Sequence, residues 1–188
     1  MDVLFLIGQS GSGKTVLARR LEEAYRIPMA KSVTTRPRRH SDKEDDYEFV
    51  TQEEFLKLLT GGGLMEHTTY CNQFYGYREP VENCVMPVEP SGYVMAKKWC
   101  QDNAVRSATV YLSCSEAERI RRMMKRGDSR EKAMERVAND RYFDEFLHPK
   151  NYDWKIDTTG LSNDETAHAV FSRLKSMQFF TFDPWSIR

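Results

Sequence analysis

Short apolar runs alternate with amphipathic stretches toward both ends of the chain. Residues 3–7 form an unbroken apolar run rich in β-forming residues, and residues 108–112 form a second one. Such runs favour central parallel strands that are covered on both faces. After the first run, apolar residues recur at helical spacing at Leu17, Leu21, Ala24 and Tyr25. Pro28 is expected to end that helix, and the alternation predicts an α/β protein with a mostly parallel sheet flanked by helices.

Three further helices are predicted from the residues at their N-termini. In a capping box, a Ser or Thr at the N-cap is followed three positions later by a Glu. The pattern occurs at Thr51 with Glu54, at Ser115 with Glu118, and at Ser162 with Glu165. The first of these helices is expected to end at the glycines of residues 61–63.

The middle of the chain differs in composition from its ends. Residues 34–80 are polar, charged and aromatic, with few apolar runs, which indicates a small insert rather than part of the core. We therefore expect one domain, with a core of residues 1–33 and 84–188 and an inserted flap over about 34–83. The aromatic final stretch, residues 179–188, is expected to pack back on the body of the protein.

Length and charge narrow the functional classes. The 188 residues suit a single domain, and 28 basic residues balance 28 acidic ones. A formal charge of zero disfavours a general nucleic-acid or membrane binder, so any site for a polyanion must be local. The longest apolar run falls far short of the ~20 residues of a membrane span and has neither a basic flank nor a cleavage site. We expect a cytoplasmic protein with no membrane partner.

The cysteines give no sign of a metal site or a disulfide framework. Cys71, Cys84, Cys100 and Cys114 stand alone, without a C-x-x-C pair. We expect all of them to be buried free thiols.

The strongest chemical motif follows the first predicted strand. Residues 8–15 match the phosphate-loop pattern G-x-x-x-x-G-K-[ST] in full, between a strand and a helix. In this pattern backbone N–H groups converge on phosphate oxygens, Lys14 supplies a positive charge, and the Thr15 hydroxyl is a magnesium ligand. The predicted phosphate-binding residues are Gly8, Ser10, Gly11, Ser12, Gly13, Lys14 and Thr15.

A cluster of basic residues follows the next probable strand. Arg36, Arg38 and Arg39 lie within four residues, next to Pro37. Guanidinium groups bind phosphate through two parallel hydrogen bonds, so two of these arginines can hold one phosphate. A solvated basic loop is the alternative interpretation of this stretch.

Several motifs taken together resemble the guanylate kinase family. They are Ser32-x-Thr34-Thr35-Arg36 with Arg39, Asp46 to Val50, Gly63 to Glu66, and Phe74-Tyr75-Gly76, in the family's order and close to its spacing. With the phosphate loop, the resemblance covers about residues 1–175. It implies a P-loop NTPase-type fold with an acceptor-binding flap and a helical lid over about 121–141. It also implies transfer of the γ-phosphate of ATP, accompanied by magnesium (Mg2+), to a nucleoside monophosphate.

The resemblance also implies roles for individual residues. The implied ligands of the acceptor phosphate are Arg36, Arg39, Tyr47 and Tyr75. Ser32 and Glu66 would face the acceptor's base. A carboxylate accepts two hydrogen bonds side by side, and guanine offers two adjacent donors, so Glu66 suits guanine.

Lid arginines complete the implied catalytic set. Arg126 and Arg136 match the family's lid arginines, and with Lys14 they would neutralise charge on the transferring phosphoryl group. Arg121 and Arg122, on the same predicted helix as Arg126, are expected to be solvated helix charges.

The sequence departs from the family at three places that bear on the substrate. Tyr77 stands where the family carries a Thr or Ser that reaches guanine, so a smaller base pocket is expected. Residues 87–89 replace an Asp-x-Asp strand by Pro-Val-Glu, which leaves Glu89 alone to support magnesium or base contacts. The stretch over 76–92 is also shorter than expected, which would trim the flap's return helix.

Three functional hypotheses follow. The first is a kinase that phosphorylates GMP or dGMP. The second is the same chemistry on another acceptor, such as a pyrimidine or modified deoxynucleotide, or a base within DNA; the zero net charge disfavours nucleic acid. The third is a noncatalytic guanylate-kinase-like module that binds a peptide, against which the intact Lys14, Thr15 and lid arginines count.

Overall fold

The computed structural model describes residues 1–40, 42–44, 46–141 and 148–180. Within these ranges two sheets and six α-helices are formed. In chain order the elements are β1 (Asp2–Ile7), α1 (Lys14–Tyr25), β2 (Ser32–Thr34), β3 (Tyr47–Phe49), α2 (Gln52–Thr60), β4 (Glu66–Tyr70), β5 (Gln73–Tyr77), β6 (Cys84–Pro87), α3 (Pro90–Asp102), β7 (Arg106–Ser113), α4 (Glu116–Lys125), α5 (Arg130–Asp140), β8 (Trp154–Asp157) and α6 (Asn163–Ser176).

The first sheet is parallel throughout and forms the core. Its order is β6-β1-β7-β8, with β1 buried along its whole length between β6 and β7. Leu4 and Leu6 pack in one cluster with α1 and α6, whereas Phe5 and Ile7 pack in a second cluster with α3. Because helices cover both faces, every position of the strand is apolar or buried. The prediction of a parallel α/β sheet flanked by helices is confirmed.

The second sheet is mixed and is formed by residues 32–77, so β2 begins two residues before the predicted start of the insert. Its order is β3-β2-β5-β4, in which β2 pairs parallel with β3 and antiparallel with β5. Phe55 of α2 is buried and stacks on Phe74 of β5 at 5.3 Å between ring centroids. No helix is formed between β5 and β6, where all residues are described, in line with the shortened segment predicted there.

Helix N-termini follow the sequence pattern with one difference. Thr51 and Ser162 form complete capping boxes with Glu54 and Glu165. Ser115 also accepts from the N–H of its third helical residue, Glu118. The Glu118 carboxylate, however, pairs with arginines of α4 instead of bonding back to the cap.

Three other expectations can be compared with the described residues. Cys84, Cys100 and Cys114 are buried free thiols, but Cys71 is exposed, so the prediction of burial is wrong for Cys71. It lies in the two-residue turn between β4 and β5, where no core is available to cover it.

Phe179 and Phe180 pack into the main core as predicted, while residues 181–188 lie outside the described ranges. No described helix is long and apolar enough to cross a membrane.

Candidate active site

The phosphate loop lies at the carboxyl edge of the parallel sheet, where ligands of open α/β sheets bind. It joins β1 to α1, and its glycines adopt positive φ angles that side chains rarely tolerate. A Cβ at Gly8 would lie 2.5 Å from the Leu112 carbonyl oxygen, and one at Gly11 would lie 2.8 Å from that of Arg119. The loop is therefore held tightly against the end of β7 and against α4.

Lys14 and Thr15 are the first residues of α1 and point into the space in front of the loop. Lys14 Nζ donates to the carbonyl oxygens of Gly8 and Gln9 and lies 3.5 Å from Glu89 Oε1. The Thr15 hydroxyl lies 3.5 Å from that of Tyr47. This placement leaves Lys14 held by main-chain groups of the loop and by one carboxylate.

Glu89 and Thr15 fit a magnesium ion. Glu89 Oε2 is buried and has no hydrogen-bond partner in the described part of the chain, and both residues line the same pocket. Carboxylate and hydroxyl oxygens are typical protein ligands of Mg2+, which also keeps water and substrate phosphates. The described residues contain no cluster of three or more His, Cys, Asp or Glu side chains suited to a metal. Thr15 and Glu89 can therefore form a magnesium site with few protein ligands.

The flap arginines differ in their partners. Arg36 makes two hydrogen bonds with Asp42, of 2.7 and 2.9 Å, and its guanidinium lies 4.6 Å from the centroid of the Tyr47 ring. Arg39 has no carboxylate within ion-pair distance among the described residues. Burial, and then the charges of Arg36, Arg126 and Arg136, lower the pKa of Arg39 to about 10. Arg39 therefore faces an excess of positive charge that an anion would relieve.

The lid arginines extend this positive cluster. Arg126 bonds to Asp128 Oδ2 at 2.7 and 2.9 Å. Arg136 Nη2 lies 3.4 Å from Ser10 Oγ, and its guanidinium lies 5.5 Å from the centroid of the Tyr70 ring. Arg136 Nε is buried without a hydrogen-bond partner among the described residues.

One pocket of about 640 Å³ is shared by the loop, the flap and the lid. It is lined by the predicted loop residues Ser10, Gly11, Gly13, Lys14 and Thr15. From the flap and lid it is lined by Arg36, Arg39, Tyr47, Tyr75, Arg126 and Arg136. The structure therefore brings together most of the residues that the sequence assigned to two separate phosphate sites.

A smaller cavity of about 60 Å³ lies beside the main pocket and shares Lys14, Thr15 and Glu89 with it. Ser32, Glu66 and Tyr77 form part of its wall. Because one water needs about 10–15 Å³ by such a measure, the cavity holds only a few waters.

Glu66 is unusually placed for a carboxylate. It is 2% exposed, and its Oε2 has no partner among the described residues. Burial, and secondarily the charge of Glu89, raises the pKa of Glu66 to about 8. There is no room for a Cβ at Gly92, because the atom would overlap Glu66 Oε2. Glu66 is thus a buried carboxyl group held against the start of α3 with an unused hydrogen-bonding atom.

Tyr77 closes one side of the smaller cavity. Its ring is 5% exposed, and its hydroxyl donates to the Pro87 carbonyl oxygen at 2.8 Å. The hydroxyl is therefore committed to the main chain, and the ring acts as a wall. The ring therefore limits the volume of this cavity.

Two residues of the phosphate loop and lid have partners that the sequence did not predict. The Ser10 N–H donates to Asp140 Oδ2 at 2.8 Å. Arg122, expected to be a solvated charge, donates instead to the Thr158 carbonyl oxygen at 2.7 Å and lies 3.4 Å from that of Ser12. Ser12 Oγ is buried without a partner among the described residues.

Several residues around the site were missed by the sequence reasoning. Tyr70, Asp140 and Thr158 bond to the phosphate loop from distant parts of the chain, and no local motif marks them. Asp42 is different, since an acid shortly after three arginines is a readable signal for an ion pair.

The fold and the pocket define the class: a phosphate-loop α/β protein in which arginines line the pocket wall that faces the loop. A family model described as an AAA domain matches residues 4–142. The guanylate kinase of Anaplasma phagocytophilum is 30% identical in an alignment of 189 positions that covers 95% of this chain and 88% of that protein. The guanylate kinase of Oceanobacillus iheyensis is 29% identical in an alignment of 181 positions that covers 89% of this chain and 82% of that protein.

Solved structures agree with these relatives. The crystal structure of the A. phagocytophilum guanylate kinase has a TM-score of 0.65 at 27% identity, over 96% of this chain and 87% of that one. An uncharacterized protein from Eubacterium ventriosum shares the fold, with a TM-score of 0.53 at 15% identity, over 94% of this chain and 99% of that one. The chain therefore belongs to the AAA-domain family of that model and to the guanylate kinase family. It is a nucleoside monophosphate kinase, and the prediction of an enzyme is confirmed.

Proposed function

We propose that this kinase transfers the γ-phosphate of ATP to GMP or dGMP. The observation that carries the proposal is the single pocket in which Lys14 and Arg136 face Arg36 and Arg39. A pocket with cationic groups on two sides suits two phosphate-bearing substrates placed end to end. The names of the relatives, all guanylate kinases, support guanine as the acceptor base.

The phosphate loop would hold the donor. The main-chain N–H groups and Lys14 bind the phosphates of ATP, and Arg126 and Arg136 neutralise charge on the transferring group. Little covalent help is needed for such a transfer, so positioning and charge provide most of the rate. Magnesium held by Thr15 and Glu89 would supply further charge neutralisation at the phosphates.

The flap would hold the acceptor. Arg39 offers a guanidinium with no carboxylate partner among the described residues, and Tyr47 and Tyr75 line the pocket beside it. Arg36 is anchored by Asp42 and keeps one orientation. Ser32 and Glu66 lie in the adjoining cavity, where the base of a nucleotide bound at Arg39 would enter.

A second acceptor class, a pyrimidine nucleotide, is favoured by one observation. The cavity at Glu66 measures about 60 Å³ and is closed by Tyr77. A ring smaller than guanine needs less rearrangement there. Measuring ADP release with each ribo- and deoxynucleoside monophosphate, and with single- and double-stranded oligonucleotides, distinguishes the two. Fastest turnover with GMP or dGMP supports the proposal, and fastest turnover with a pyrimidine nucleotide overturns it.

Glu66→Gln is expected to lower acceptor efficiency with guanine nucleotides. The amide keeps the size of the carboxylate but places a donor against a donor of the base. A buried unmet donor costs ~1–3 kcal/mol, so kcat/KM for GMP should fall roughly 5- to 150-fold. If pyrimidine nucleotides are preferred instead, Tyr77→Thr should restore some guanine use. A guanine-preferring wild type with an unaffected Glu66→Gln variant contradicts the role of Glu66.

The raised pKa of Glu66 predicts a pH dependence. With a pKa of about 8, this carboxyl group is mostly protonated at pH 7 in the acceptor-free enzyme. Only the ionised form accepts both guanine donors, so kcat/KM for GMP should rise about eightfold from pH 7 to pH 8.5, below the range in which the ring N–H of guanine itself ionises. The rise should vanish in Glu66→Gln. A wild-type profile that is flat, or that falls over this range, refutes the assignment.

A further inference from the structure

Four buried polar side chains form a cluster behind the phosphate loop. Ser10 comes from the loop, Tyr70 from β4 of the flap sheet, Arg119 from α4, and Asp140 from the end of α5. Their exposed fractions are 4%, 6%, 3% and 0% in that order. We call this set the anchor cluster. It joins three parts of the molecule that also line the main pocket.

Hydrogen bonds connect the side chains of the anchor cluster, with Asp140 as their common acceptor. Tyr70 donates its hydroxyl proton to Asp140 Oδ1 at 2.9 Å. Ser10 Oγ lies 2.9 Å from the Tyr70 hydroxyl and 3.2 Å from Asp140 Oδ1, and the Ser10 N–H donates to Asp140 Oδ2. Ser10 Oγ in turn accepts from Arg136 Nη2 at 3.4 Å. Arg136 is thus linked through Ser10 to both Tyr70 and Asp140.

The charges in the cluster are arranged so that Arg136 stays free for an anion. Asp140 Oδ2 accepts from Arg119 Nη1 at 2.8 Å, and both side chains are buried. Arg119 therefore neutralises Asp140, and the contacts of Arg136 are a neutral hydroxyl and the face of the Tyr70 ring. Among the described residues no carboxylate lies within ion-pair distance of Arg136.

We propose that Tyr70, anchored by Asp140, is a positioning residue that holds Arg136 toward the transferring phosphoryl group. The Tyr70 ring packs against the Arg136 guanidinium, and the Tyr70 hydroxyl, together with Asp140, holds Ser10, to which Arg136 bonds. Asp140 lies one helical turn after Arg136 on α5. Anchoring Asp140 therefore also fixes the position of Arg136 relative to the phosphate loop. Buried ion pairs contribute little net stability. A role in positioning accounts for the buried ion pair between Arg119 and Asp140. The inference rests on the proposed function of the main pocket.

The test compares Tyr70→Phe with a matched control. Tyr70→Phe keeps the ring under Arg136 and removes only the hydroxyl, and it avoids the unpaired buried Arg119 that a change at Asp140 would leave. The single-turnover rate of phosphoryl transfer should fall about five- to tenfold, with KM for ATP and for the acceptor changed less than about twofold. Tyr93→Phe also removes a buried hydroxyl, bonded to Thr109 and Asn151, but Tyr93 does not line the pocket. It should leave the rate unchanged.

A double-mutant cycle with Arg136→Lys separates positioning from a general structural effect. If Tyr70 acts through Arg136, Tyr70→Phe should slow the Arg136→Lys enzyme by less than about twofold. Tyr93→Phe should have the same small effect in both backgrounds. Additive losses for Tyr70→Phe and Arg136→Lys, or equal losses for Tyr70→Phe and Tyr93→Phe, overturn the inference. A wild type without kinase activity on any nucleoside monophosphate refutes the proposed function itself, which is a different result.

Discussion

Lys14→Ala is expected to lower kcat by about 10²–10³-fold while leaving the fold intact. Deleting one preorganised electrostatic contact to the reacting group has an effect of this order. Lys14 Nζ is held at the loop by the carbonyl oxygens of Gly8 and Gln9 and faces Glu89 across the pocket. Two of these contacts are to the loop's own main chain, and the ion pair with Glu89 is long and partly exposed, so the melting temperature should change little.

The measurement is kcat with saturating ATP and acceptor, together with a thermal melt. Lys132→Ala, which removes an exposed lysine from α5, serves as the control and should retain wild-type kcat. Near-normal turnover in Lys14→Ala would contradict the assignment of residues 8–15 as the ATP-phosphate loop. A low kcat with an unchanged melt supports it.

The core could be read from the sequence because its signals are local. The apolar run at residues 3–7 is buried on both faces and forms the central strand. The phosphate-loop pattern is contiguous, and the capping residues Thr51 and Ser162 lie beside the helices they begin. In each case the residues that determine the structure are neighbours in the chain.

The anchor cluster could not be read from the sequence because its members are far apart. Ser10 and Tyr70 are separated by 60 positions, and Ser10 and Asp140 by 130. Their contact depends on how the flap and the lid helices pack against the loop, which no local pattern encodes. Arg122 was misread for the same reason, since Thr158, its partner, follows β8.

The difference between the two flap arginines, Arg36 and Arg39, is also visible only in the structure. The sequence places Arg36 and Arg39 three positions apart and implies the same role for both. In the structure Arg36 is 5% exposed and clamped by Asp42, so removing it would leave a carboxylate without its partner. Arg39 is the better probe of the acceptor site, because no described carboxylate depends on its side chain for an ion pair.

Arg39→Ala is expected to raise KM for the acceptor about 10- to 150-fold, since a hydrogen bond to a charged group contributes about 1.5–3 kcal/mol. KM for ATP should change much less, because Arg39 belongs to the flap and not to the phosphate loop. The loss should appear with every acceptor base, in contrast to Glu66→Gln, because Arg39 is assigned to the phosphate.

The matched control for this variant is Arg38→Ala. Arg38 is the exposed neighbour of Arg39, lies 5.6 Å from the centroid of the Phe49 ring, and does not line the pocket. It carries the same charge, so any effect of net charge on attracting an anionic substrate should be shared by both variants. A rise in acceptor KM confined to Arg39→Ala therefore reports direct binding of the phosphate. If Arg39→Ala raised KM for ATP and left KM for the acceptor unchanged, the flap would not be the acceptor site. The assignment of ATP to the loop side and of the acceptor to the flap side would then have to be reversed.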